Sequence, residues 1–115
     1  MNMSITRLDP GPRMSQAVVH NGMAYLAGQV AEGATVTAQT KAILAAIDSL
    51  LKRAGTDKSR LLTAQIWLAD IATFGEMNAV WEAWVDRKNP PARATVEAKL
   101  AARQYLVEIM VTAAI

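Results

Sequence analysis

The chain has 115 residues, 52% of them hydrophobic and 19% charged, with a formal net charge of +2 at pH 7. That length suits a single domain, residues 1–115, and the small charge excludes an electrostatic case for binding nucleic acid. With no cysteine and His20 as the single histidine, no disulfide, thiolate nucleophile or metal centre is expected.

No uninterrupted apolar run approaches ~18 residues, so no membrane span is expected. The segment from Met1 to Asp9 is polar and lacks the apolar core of a signal peptide, which makes the cytoplasm the expected location. The high apolar fraction for so short a chain predicts that some surface is buried against a partner subunit.

In chain order, Ala17-Val18-Val19-His20 and Met23-Ala24-Tyr25-Leu26-Ala27 flank Asn21-Gly22. That dipeptide supplies the positive φ angles of a type I′ turn, so a β-hairpin is predicted. Gly28 follows, either as a plain strand end or as a place where a ligand or neighbour approaches the backbone. A helix is predicted from about Ala38 to Ala54, started by Thr35 or Thr37 and stopped by Gly55. Ile43, Ile47, Leu50 and Leu51 recur at helical spacing along it.

Leu61 to Leu68 reads as a strand, with Leu62, Ala64, Ile66 and Leu68 on one face and Thr63, Gln65 and Trp67 on the other. Thr73 and Glu76 have the spacing of a capping box for a second helix reaching about Lys88. Phe74, Met77, Trp81 and Trp84 mark its expected buried side, and Asn89-Pro90-Pro91 ends it. The pairs Lys52-Arg53 and Arg87-Lys88 fall at the predicted helix ends, where the dipole favours them.

Arg93 to Ala98 and Tyr105 to Ala113 complete a β-β-α-β-α-β-β order. Two helices cannot cover both faces of such a sheet, so an α+β layer with both helices on one face is predicted. Alternation in the last strand puts Val107, Ile109, Val111 and Ala113 toward the helices, and Glu108, Met110 and Thr112 on the opposite face. The same rule applied to the strand before it puts Ala94 and Val96 under the helices. Arg93 and Thr95 are then expected beside Glu108 on the face that meets a partner.

Arginine presents a rigid fork of donors matched to a carboxylate, and a glutamate inside an apolar strand needs a partner or a task. Arg93 and Glu108 therefore read either as an interface ion pair or as two parts of a small-acid site.

The run Pro91-Ala92-Arg93-Ala94-Thr95-Val96, followed by Lys99, Ala101 and Val107-Glu108-Ile109, resembles the signature of the RidA/YjgF family. Gly11-Pro12, Ser15-Gln16-Ala17, Tyr25-Leu26-Ala27-Gly28-Gln29 and Asn78-Ala79 resemble that family's other motifs, so the likeness spans essentially the whole chain. It implies a chorismate-mutase-like fold and a homotrimer with ligand clefts between subunits. It also implies hydrolysis of 2-aminoacrylate-like enamines and 2-imino acids to a 2-oxoacid and ammonia, without a cofactor.

By the same resemblance Arg93 grips the substrate carboxylate and Glu108 positions or activates water. Gly28 and Thr95 contribute to the cradle, and Asn78 lies near the site. Where the family often has a tyrosine this chain has Met14, and where a cysteine is common it has Thr95. The loop after Gln29 is short. These departures point to a substrate larger or more apolar than 2-aminoacrylate, or to a regulator that binds a small acid without turning it over. An endoribonuclease, the other activity attached to the family, fits less well, because no histidine pair and no basic patch are present.

Overall fold

The computed structural model describes residues 4–115, so the first three residues of the polar N-terminal segment lie outside it. Eight elements follow one another: β1 (Thr6–Leu8), β2 (Ala17–His20), β3 (Met23–Leu26), α1 (Val36–Ala54), β4 (Leu61–Leu68), α2 (Phe74–Trp84), β5 (Ala92–Glu97) and β6 (Val107–Ala114). The strands form one mixed sheet in the order β1-β2-β3-β6-β4-β5. Only the β4–β5 pair is parallel, and the other neighbours run antiparallel. Both helices lie on one face, as the element order requires.

The hairpin forms as read: Asn21 and Gly22 hold φ angles of 50° and 76°, the left-handed pair that joins β2 to β3. The first helix also follows its sequence signals. Thr35 accepts from the Ala38 amide at the N-terminus, and Gly55 closes the C-terminus in the left-handed region. Ile43, Ile47 and Leu51 then bury completely against Ile66, Ile109 and Val111 of the sheet, forming the core. No helix among the described residues is long and apolar enough to cross a membrane.

Buried Gln39 braces this layer. Its amide nitrogen donates to Gly33 O and Gln104 O, and its oxygen accepts from Leu106 N at 2.8 Å. The loop before α1 and the loop before β6 are thereby fastened to one side chain.

Several expectations need correction. A short strand, β1, precedes the hairpin and pairs with β2. The register of β4 shifts between Leu61 and Thr63, which buries Leu61 and turns Leu62 outward to 43% exposure. The Thr73–Glu76 capping box does not form: Thr73 makes no side-chain cap bond. Glu76 instead accepts from both Thr37 N and Thr37 Oγ1, at 2.9 and 3.0 Å, and caps the other helix.

The second helix stops at Trp84 rather than Lys88. Asp86 accepts from Lys88 N at 3.0 Å and from the Asn89 side chain, a turn that competes with helix. Those bonds hold the Asp86 carboxyl below its ordinary range, the Lys88 amide contributing most.

The most consequential correction concerns β5. Its parallel register sets Arg93 beside Ala64, Thr95 beside Ile66, and Val96 beside Trp67. Neighbours in a sheet share a face, so Arg93 and Thr95 lie on the helix side with buried Ala64 and Ile66. Ala94 and Val96, expected under the helices, are exposed on the open face, Val96 to 45%. Glu108 pairs with Trp67 and stays on the open face, as expected.

Candidate active site

On the helix side, α2 and the edge strand β5 build one cluster. Phe74, Asn78 and Trp81 recur at i, i+4 and i+7, so the helix presents them on a single face. The Arg93 guanidinium lies over that face. Its carbon is 5.7 Å from the Phe74 ring centroid and 5.4 Å from that of Trp81. Partial burial lowers the Arg93 pKa, and the Glu82 carboxylate offsets this in part.

Among the described residues no ion pair or hydrogen bond engages this guanidinium; the one salt bridge joins Arg53 to Asp9 at 2.8 Å. Two acceptors of the same cluster are also idle. Thr95 Oγ1 and Asn78 Oδ1 are closed off from solvent and have no hydrogen-bond partner. Buried polar atoms are nearly always paired, and each orphan costs about 1–3 kcal/mol. An unengaged guanidinium and two orphaned polar atoms on the same side of the sheet leave hydrogen-bonding capacity that the protomer does not use.

On the open face, β6 and the segment after β3 build a second cluster. Gln29 exchanges both backbone hydrogen bonds with Ile109, at 2.8 and 3.1 Å, drawing Gly28 against β6. A Cβ built on Gly28 would overlap Glu108 Oε2 and stand 3.0 Å from Glu108 Cδ. Gly28 is thus a close-approach glycine, the second of its two sequence readings. Gln16 ties this segment to the loop before β2: it accepts from Ala27 N at 2.9 Å and from Gln29 Nε2 at 3.0 Å. Met14, two residues earlier and 49% exposed, belongs to that loop.

The six sequence-derived site residues therefore divide. Arg93, Thr95 and Asn78 gather between α2 and β5; Glu108 and Gly28 gather on the opposite face, with Met14 in the loop tied to them. Arg93 and Glu108 sit two strands apart, about 10 Å across the sheet, and point to opposite sides of it. The proposed ion pair between them does not exist within a protomer. Phe74 and Trp81, read from sequence as core, also belong to the site. Their spacing around Asn78 was the available signal; the partner that uses them, Arg93, was assigned to the wrong face.

Residues 4–115 match the family model described as Endoribonuclease L-PSP. The chain belongs to that family. A RutC family protein of Haemophilus influenzae is 47% identical over 114 residues, covering 96% of this chain and 98% of the relative. The RutC family protein YoaB of Escherichia coli is 43% identical over 115 residues, covering 98% and 100%. A crystal structure of a YjgF family member from Neisseria meningitidis superposes with a TM-score of 0.95 at 45% identity, covering 97% of this chain and 95% of that one. The RidA/YjgF resemblance read from the motifs is borne out over the full chain, and with it the two-helix, one-sheet fold.

Proposed function

We propose that this L-PSP family member is a cofactor-free deaminase of small 2-imino acids and their enamine tautomers, active as a homotrimer. The observation that carries the reading is the Arg93 guanidinium, part-buried over two rings and, among the described residues, without a salt bridge or hydrogen bond. A planar cation kept partly desolvated in that way is matched to a carboxylate brought from outside.

The two clusters supply complementary chemistry. Arg93 binds the substrate carboxylate, and Thr95 and Asn78 offer hydrogen-bonding atoms beside it. Glu108 orients a water molecule toward the imine carbon and takes up its proton. Glu108 returns that proton to the nitrogen, and as the C–N bond breaks the hydroxyl proton follows it, so that ammonia leaves and the carbonyl of a 2-oxoacid forms. The imine carbon is already electrophilic, so orientation of water and proton transfer are the tasks left to the protein; the second contributes on the order of 10²–10⁴-fold.

Because Arg93 and Glu108 occupy opposite faces, one protomer cannot present both to one small molecule. A cleft formed by the α2–β5 edge of one copy and the Glu108 face of the next does so. The open face supports this arrangement, since Tyr25, Val96 and Met110 remain 39–45% exposed on it.

The test is formation of oxoacid and ammonia from amino acids oxidised in situ. Arg93→Ala and Glu108→Ala should each stay folded and lose turnover. Mixed assemblies of the two variants should recover up to about a quarter of wild-type activity, because a cyclic trimer then contains some intact interfaces. Normal turnover by Arg93→Ala sinks the reading, and absence of recovery on mixing sinks the shared cleft.

The endoribonuclease in the family description finds no support in the residues. His20 lies on β2, four strands and about 19 Å from β5, with its Nδ1 3.3 Å from Ser4 O.

A further inference from the structure

We infer that Phe74 and Trp81 are positioning residues for Arg93, and that the exposed part of the Phe74 ring makes the subsite beside it apolar. The site then selects monocarboxylates with an apolar side chain over dicarboxylates. This inference rests on the reading of Arg93 as the carboxylate anchor.

The geometry is that of a shelf. Both rings belong to one helix, two turns apart, and the guanidinium carbon lies within 6 Å of both centroids. Stacking uses the guanidinium face and leaves its N–H edge free, which is the edge that a carboxylate needs. An unsupported arginine would instead spread over many rotamers and would have to be ordered on each binding event. Trp81 is itself immobile: it is 6% exposed and packs on Trp84 with centroids 5.4 Å apart.

Phe74 differs from Trp81 in being 40% exposed, although the sequence reads it as core. Its position at the first turn of α2, beside an unengaged cation, gives that exposed ring a ligand-facing use. Glu82 follows Trp81 directly, and its negative charge acts on Arg93. A second carboxylate on the substrate would meet an aromatic ring and a like charge, both unfavourable; an alkyl group would meet only the ring.

Calorimetric titration with 2-oxobutyrate, a stable carboxylate that resembles the product, tests this without relying on turnover. Wild type should bind it at least tenfold tighter than 2-oxoglutarate. Phe74→Leu should weaken 2-oxobutyrate binding about threefold to tenfold at unchanged melting temperature, and Phe74→Tyr should restore it. Glu82→Gln should narrow the preference against 2-oxoglutarate.

If Arg93→Ala abolishes binding while Phe74→Leu leaves it unchanged, the shelf is refuted and the anchor stands. If Arg93→Ala binds normally, both fall. Equal affinity for the two oxoacids overturns the selectivity, as does failure of wild type to bind 2-oxobutyrate.

Discussion

The two faces of the sheet hold their functional candidates by different means. On the covered face Arg93 and Thr95 lie under α2, and the rings of Phe74 and Trp81 fix the cation before any ligand arrives. On the open face Glu108 is held only by its strand and by the absence of a side chain on Gly28. The first arrangement is a mould and the second is a half-wall. A small edge strand next to a helix can preorganise a charge by stacking. An uncovered face offers no helix to stack against, and here backbone approach at Gly28 takes that place.

The strongest attempt to break this contrast is a charge on the open face. Met110→Glu places a carboxylate at a position 39% exposed within that face. The protomer should keep its far-ultraviolet circular dichroism, because the core lies on the other side of the sheet. Light scattering should report loss of the assembly, and turnover should fall on the order of 10²-fold as the two clusters part. An unchanged particle size would show that the open face is not the contact.

Gly28→Ala comes next. A methyl there overlaps Glu108 Oε2, so the carboxylate must swing away or the β3–β6 approach must widen. Overpacking of this kind costs about 1–3 kcal/mol, visible as a lower melting temperature. Binding of 2-oxobutyrate should weaken less than turnover, because Arg93 is untouched. A variant with full turnover would remove Glu108 from the chemistry.

Much of this was legible in the chain, and the part that was not has an identifiable cause. Asn21-Gly22 and Gly55 each encode a local backbone state and were read correctly, and the start of the first helix was narrowed to Thr35 or Thr37, of which Thr35 is the cap. Val107, Ile109 and Val111 alternate with polar or flexible residues, so the phase of β6 was readable and Glu108 was assigned to the proper face. In Ala92-Arg93-Ala94-Thr95 no such contrast exists. Alanine tolerates either environment, and arginine can lie along apolar rings while its head stays available. Only the register against β4 fixes that phase, and register is a property of the folded sheet. The Glu76 bond to Thr37 escaped for a related reason: its spacing to Thr73 fits a local cap, while its partner lies on another helix.

The smallest expected effect is also the most discriminating, because its two consequences have opposite signs. Thr95 Oγ1 is sealed from solvent without a partner, so the free protomer carries its desolvation penalty. Thr95→Val keeps the shape and removes the stranded hydroxyl, which should raise stability by about 1 kcal/mol. The same change should weaken 2-oxobutyrate binding severalfold if that hydroxyl meets the ligand once the cleft assembles. A gain in melting temperature with unchanged binding would assign Thr95 to packing alone. A loss in both would mean that the hydroxyl is already satisfied in the assembled protein, by a neighbouring protomer and not by the ligand.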